Sequence, residues 1–374
     1  MKTFYLSRRD FLKLAGASLG ALALRTYNQD LPLLQFPNAE RLGRVCIDGR
    51  VDVKVAPSDG AATVSTIYSD AVVEWLREVI GPMQGRINQR WVETPAGYIY
   101  AADLQPVRNL PNTPLTAMPE GKIGFWAEVT VPYVDLYLDN PPPRSPWAKD
   151  LIETYRLNPR LYYTQVAWID QIKTDDTGRI YYRFNEDVGH GFGYGDIFFA
   201  EGAVFHPLTE EEIAPIHPEV DPNIKKVVVD RTANYQNLSC LEGNTEVYFC
   251  RVSTGTVWGA SGNAGDKYLT PLGEHTTWRK IISLHMSGGT TGAGYDTPAV
   301  SWTTLFSGEG IAVHAAFWHN DFGSPRSHGC VNARPEDAKW IFRWTTPAVS
   351  LEQSDIQLQW PNGGTHVIVK ERTV

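Results

Sequence analysis

Short runs in which apolar and polar residues alternate dominate this chain, and helical spacing is confined to two places. Arg44 to Val55 alternates through Val51, Val53 and Val55, the period of a half-buried strand. Asp70 to Ile80 instead sets Val72, Val73, Leu76, Val79 and Ile80 at helical spacing, with Asp70 as N-cap and Gly81-Pro82 as the stop. Trp91 to Thr94 and Gly97 to Tyr100 read as a hairpin, closed by Asp103 to Val107. Trp126 to Tyr137, Trp168 to Ile172 and Arg179 to Phe184 repeat the plan, the last two across an Asp175-Asp176-Thr177-Gly178 turn. Asp196 to Leu208 echoes Gly97 to Val107, which implies a weak internal duplication. Residues 25–43 and the acidic 209–223 read as linkers.

Beyond residue 225, Lys226 to Asp230 predicts a short apolar strand, and Gln236 to Cys240 with Glu246 to Val252 a hairpin about Gly243-Asn244. Ser283 to Phe306, rich in Gly, Thr and Ser, reads as a long lid loop hinged at Gly288, Gly289 and Gly292, although Trp302 sits in a strand-like run. Ile311 and Val313 alternate with Ala312 and His314, so a strand ends at His314. A polar loop, His319 to Arg326, turns the chain back to Ser327-His328-Gly329-Cys330-Val331-Asn332. Pro335 then opens a helix whose inward stripe is Ala338, Ile341, Phe342 and Thr345, and Thr365 to Lys370 closes the domain as a strand.

With 374 residues the chain has room for two or three domains, and 43% hydrophobic against 20% charged residues excludes general disorder. Twelve Trp and seventeen Tyr suit cores and carbohydrate or peptide grooves alike. A net charge of −8 argues against a nucleic-acid partner, which needs a basic face. Near the start, Ser7-Arg8-Arg9-Asp10-Phe11-Leu12-Lys13 resembles the twin-arginine export motif. Its apolar run, Leu14 to Leu24, is too short to span a bilayer, and Ala21-Leu22-Ala23 is a candidate cleavage site. Residues 1–30 are thus expected to be an export signal, leaving an extracytoplasmic protein of the cell wall or periplasm with no stable membrane anchor. If Gly243-Asn244 is a two-residue turn, Cys240 and Cys250 face opposite sides of their hairpin, so no disulfide is expected between them.

A cysteine attacks as its thiolate, and a nearby imidazole is the usual means of producing one. His314, folding back beside Cys330, fits that role, and the backbone amides of Gly329 and Cys330 fit an oxyanion hole. His-Ala-Ala-Phe-Trp followed by Ser-His-Gly-Cys-Val-Asn resembles the signature of the L,D-transpeptidases, the YkuD-type catalytic domain. Ser253-Thr254-Gly255 and Thr270-Pro271-Leu272-Gly273 match two further landmarks of that family, in the same order. The resemblance implies a mainly β protein. The strand order of 44–107 and of 122–208 separately resembles an SH3-like module, so two such modules are expected before a YkuD-type β-sandwich over 225–350, with a short helix after the cysteine and residues 351–374 supplying its last strand.

It further implies a peptidoglycan L,D-transpeptidase: Cys330 as nucleophile, His314 as general base and acid, and Gly329 as a backbone oxyanion donor. Ser327, His328, Asn332, Trp318 and Tyr295 are the substrate-contact candidates. His319 is a rival base, held on a loop. Peptidoglycan stem peptides are the implied partners, 3→3 cross-links the product, and no metal or other cofactor is called for. Three alternatives stay open: an L,D-carboxypeptidase, a metal site from His285, His314, His319 and Cys330, and a non-catalytic wall-binding protein.

Overall fold

The Lys-Lys-Val-Val-Val-Asp run forms the central strand, Lys225–Asp230, of a five-stranded sheet. Asn237–Glu242 pairs with it antiparallel and His366–Lys370 parallel; Thr245–Arg251 and Gly273–Thr276 complete the sheet. A second five-stranded sheet runs Val331–Ala333, Ala312–Ala315, Tyr295–Leu305, Arg279–Gly288, Asp355–Gln357. Val227, Val229 and Leu238 of the first sheet share one core with Ile282, Val313 and Val331 of the second. The helix Pro335–Trp344 adds Ala338, Ile341 and Phe342 to that core. Each such aliphatic or aromatic side chain contributes roughly 1.5–3 kcal/mol by burial, which fixes the second sheet and the loop it carries.

This computed structural model describes residues 35–191, 193–256, 268–288, 295–359 and 362–372. The expected export signal lies outside them, as do Gly289 and Gly292. No helix among the described residues is long and apolar enough to cross a membrane.

Residues 42–107 build a three-stranded and a five-stranded sheet; residues 125–207 build a six-stranded sheet and a strand pair. The segments that echo each other in sequence fold alike. Gly97–Tyr100, a 3-10 turn Ala101–Asp103 and Leu104–Val107 match Ile197–Glu201, a 3-10 turn Gly202–Val204 and Phe205–Pro207. In each, the last strand returns to pair with the first strand of its own segment. A buried Arg44 joins these segments to the loop after His314. Its guanidinium bonds Asp70, Gln105 and the Phe317 carbonyl and lies over the Tyr162 ring.

Four expectations are corrected here. Asp70 to Ile80 is not a helix but the strands Val72–Glu74 and Arg77–Ile80. Valine and isoleucine favour strands, and pairing with Leu42–Val45 and Arg90–Thr94 decides the outcome. Residues 209–223 are no slack linker. Thr209 and Glu212 close a capping box on the helix Glu210–Ile213, whose Ile213 enters the main core. Within Ser283 to Phe306, the described residues up to Gly288 and from Tyr295 to Leu305 pair as antiparallel strands rather than forming a loop. Cys240 opposes Tyr248 and Cys250 opposes Leu238, so the two thiols share a face after all; a bulge between Cys240 and Leu241 shifts the register. All four cysteines are free thiols.

Candidate active site

Side chains alternate along Ala312–Ala315: Val313 and Ala315 enter the core, so Ala312 and His314 face the other way. The neighbouring strand runs parallel, with Val313 opposite Val331 and His314 opposite Asn332. Val331 and Ala333 also enter the core, which turns Cys330 and Asn332 to the same side as His314. Cys330 packs there with Ala312, Leu284 and Met286. Parallel-strand spacing puts the Cα atoms of His314 and Cys330 about 8 Å apart on the diagonal, and the Cys330 sulfur lies 4.0 Å from the Gly310 carbonyl.

His314 Nδ1 donates to the Ala315 carbonyl at 2.9 Å, which leaves the lone pair on Nε2. Trp318, half-buried, lies 5.7 Å away ring to ring. Burial pushes His314 down to about 4 and the Cys330 thiol up to about 11. Around neutrality the resting site therefore holds a neutral thiol and a neutral imidazole.

The turn before Cys330 is held from several sides. Ser327 Oγ accepts the Gly329 N–H at 3.1 Å and donates to the Cys330 carbonyl. Thr270 Oγ1 donates to the Gly329 carbonyl at 2.7 Å and accepts the Gly255 N–H at 3.0 Å. Ser253 and Asn332 exchange two backbone bonds of 2.8 Å. The Ser-Thr-Gly and Thr-Pro-x-Gly landmarks are thus the two walls that grip this turn. Gly329 has φ +124, a conformation that favours glycine, and a Cβ there would meet the movable end of the Ile311 side chain, Cδ1, at 2.7 Å.

Three expected roles change. The Gly329 N–H, expected to hold an oxyanion, is committed to Ser327. Ser327 and Asn332, expected at the substrate, are both buried and bonded internally. The Asn332 carboxamide lies 3.1 Å from His319 Nε2, while His319 Nδ1 accepts the Asp321 amide at 3.3 Å. With both nitrogens engaged and burial pushing the ring down to about 3, His319 is a structural group. His328 is exposed, between the rings of Tyr268 at 4.8 Å and Tyr295 at 5.4 Å. Tyr268 and Gln236, whose Oε1 accepts the Thr254 amide at 2.7 Å, were not singled out in the sequence, for neither stands in a motif. His285 is held by Glu186 and Asp296, and among the described residues no cluster of three or more ligand-type side chains fits a metal ion.

Residues 224–369 match the family model of the L,D-transpeptidase catalytic domain, YkuD, and this segment is such a domain. No curated protein matches the chain. Among solved structures, a mutant Enterococcus faecium L,D-transpeptidase is 20% identical over 41% of this chain and 52% of its own, with a TM-score of 0.28. An L,D-transpeptidase from Xylanimonas cellulosilytica is 21% identical over 40% and 62%, with a TM-score of 0.27. One from Mycobacterium smegmatis is 16% identical over 54% and 98%, with a TM-score of 0.30. The chain thus spans only 52% and 62% of the first two.

Proposed function

We propose that this protein is an exported peptidoglycan L,D-transpeptidase acting through a thioester on Cys330. The observation that supports the reading is the parallel pairing of the His314 strand with Val331–Ala333, which begins one residue after Cys330, inside a segment that matches the YkuD family model. His314 Nε2 takes the thiol proton as sulfur attacks the amide carbonyl. The expelled amine leaves with that proton, and an acyl thioester remains on Cys330. A second amine then attacks the thioester, His314 accepts its proton and returns it to the sulfur. Of the two amides expected to hold the oxyanion, that of Cys330 remains once Gly329 is bound to Ser327. The donor is a stem tetrapeptide that loses its terminal D-Ala, and the acceptor is the side-chain amine of another third residue, which gives a 3→3 link. His328, Tyr268, Tyr295 and Trp318 rim the donor groove. Export by the twin-arginine route and SH3-like character of 44–107 and 122–208 belong to the same proposal.

The test is product analysis by mass after incubating the protein with disaccharide tetrapeptide. Loss of D-Ala with dimer formation is expected, and none with Cys330→Ala. Loss of D-Ala without dimer assigns hydrolysis instead. No change in the donor, or full activity of Cys330→Ala, defeats the proposal.

A further inference from the structure

The hairpin of Arg279–Gly288 and Tyr295–Leu305 presents different chemistry on its two faces. Leu284 and Met286 pack with Cys330 on one face, and Tyr295, paired with Gly288, belongs to that face. Burial and the nearby Cys330 both push the Tyr295 hydroxyl up. The alternate residues turn towards the 125–207 segment. His285 is enclosed there, with Nδ1 2.5 Å from Glu186 Oε1 and Nε2 2.5 Å from Asp296 Oδ1.

A ring with a carboxylate oxygen on each nitrogen is a double donor, hence an imidazolium. Burial opposes that charge, yet the bonds to Asp296 and Glu186 overrule it and hold the ring up at about 9. Among the described residues, His190 is a further titratable group against it. Its carbonyl accepts the His285 amide at 2.9 Å, and burial holds its own ring down at about 3, hence neutral.

Both carboxylates are anchored in one stretch of the 125–207 segment. Glu186 Oε2 accepts the Asp196 amide at 3.0 Å, and Asp196 Oδ2 accepts the Ser145 amide at 2.9 Å. Asp296 Oδ2 accepts the Trp147 amide at 2.9 Å. A bulge beside His285 reinforces this grip. Leu284 opposes Val300 but Met286 opposes Thr297, so Pro298 and Ala299 share one place, and Gln165 Nε2 donates to the Pro298 carbonyl at 2.7 Å. Because strand residues alternate faces, Asp296 is held from behind while its neighbour Tyr295 is turned to Cys330.

We propose that Glu186, His285 and Asp296 form a positioning clamp through which the 125–207 segment sets where Tyr295 stands beside Cys330. The proposal rests on Cys330 being the acylated nucleophile. It gives this segment a part in the reaction.

A double-mutant cycle on the full chain tests it, with Glu186→Gln and Tyr295→Ala made singly and together. Glu186→Gln is expected to lower kcat/KM for D-Ala release about tenfold, chiefly through KM, in a chain that is still folded at the assay temperature although its Tm is lowered. In the Tyr295→Ala background it is expected to do nothing further, a coupling that general destabilisation does not produce. Asp296→Asn, on a partly exposed side chain, provides the same cycle if Glu186→Gln folds poorly. Equal losses in both backgrounds, or no loss in a folded single variant, overturn the clamp. Cys330→Ala run alongside separates the two readings. Its inactivity with an additive cycle sinks the clamp alone, whereas full activity sinks the nucleophile and the clamp with it.

Discussion

His319 and Asn332 are joined side chain to side chain at 3.1 Å, with Asn332 opposite His314 in the parallel strand pair. The bond leaves His319 without a free nitrogen, because its other one accepts the Asp321 amide. Replacing His314 by Gln is therefore expected to lower kcat about a thousandfold or more, the loss of a general base. His319→Gln keeps some of the bonding and is expected to lower kcat no more than about tenfold. Steady-state D-Ala release from the two variants checks the order.

Reactivity against pH distinguishes a neutral pair from a standing ion pair. With the thiol up at about 11, alkylation by iodoacetamide is expected to climb about tenfold per pH unit from 7 towards 11. With His314 down at about 4, acylation by substrate is expected to hold steady through neutral pH and to fail as pH drops through about 4. Alkylation that is flat across this range would show a preformed thiolate. Cys46, Cys240 and Cys250 are buried and all pushed up by burial, so labelling is expected to fall first on the half-buried Cys330.

Stability is expected to fall on both sides of neutrality, for opposite reasons. His190, His314 and His319 are held at about 3, 4 and 3, below the ordinary 6.5 of the unfolded chain. Between those values the unfolded state binds more protons, so stability is lost as pH falls below 6.5. His285 is raised to about 9, so its contribution is full below 6.5 and disappears as pH rises through 9. Melting temperature against pH should show both flanks, and the alkaline one should flatten in His285→Asn.

Gly329→Ala combines a positive φ with a clash at Ile311. Backbone strain of this kind costs about 1–3 kcal/mol before the clash is added. The turn is expected to shift, with kcat down at least about a hundredfold, since small misplacements at a reacting centre are expensive. Adding Ile311→Ala relieves the clash but not the φ, so stability should recover only in part. Chemical denaturation of the single and double variants measures it.

The conformation of the turn before Cys330 is legible in the sequence because its constraints are local. A glycine before Cys330, a His ending a strand and two short landmarks all leave their mark in neighbouring residues. What the sequence hid depends on contacts between distant segments. Val72 to Ile80 carries helical spacing, yet Leu42–Val45 upstream and Arg90–Thr94 downstream recruit it into sheets. One bulged residue reversed the faces of Cys240 and Cys250. Ser327 looked like a substrate contact because motifs do not show which hydroxyl is already bonded, here to Gly329 and Cys330. Glu186 lies 99 residues from His285, beyond any pattern that periodicity reveals.

Intact-mass spectrometry of the protein mixed with stem tetrapeptide, with no acceptor amine present, addresses the sulfur directly. The predicted result is an adduct equal to the tetrapeptide less D-Ala, mapped to Cys330, released on adding an amine and missing from Cys330→Ser. An unmodified chain beside consumed donor, or an adduct on Cys46, Cys240 or Cys250, would contradict it.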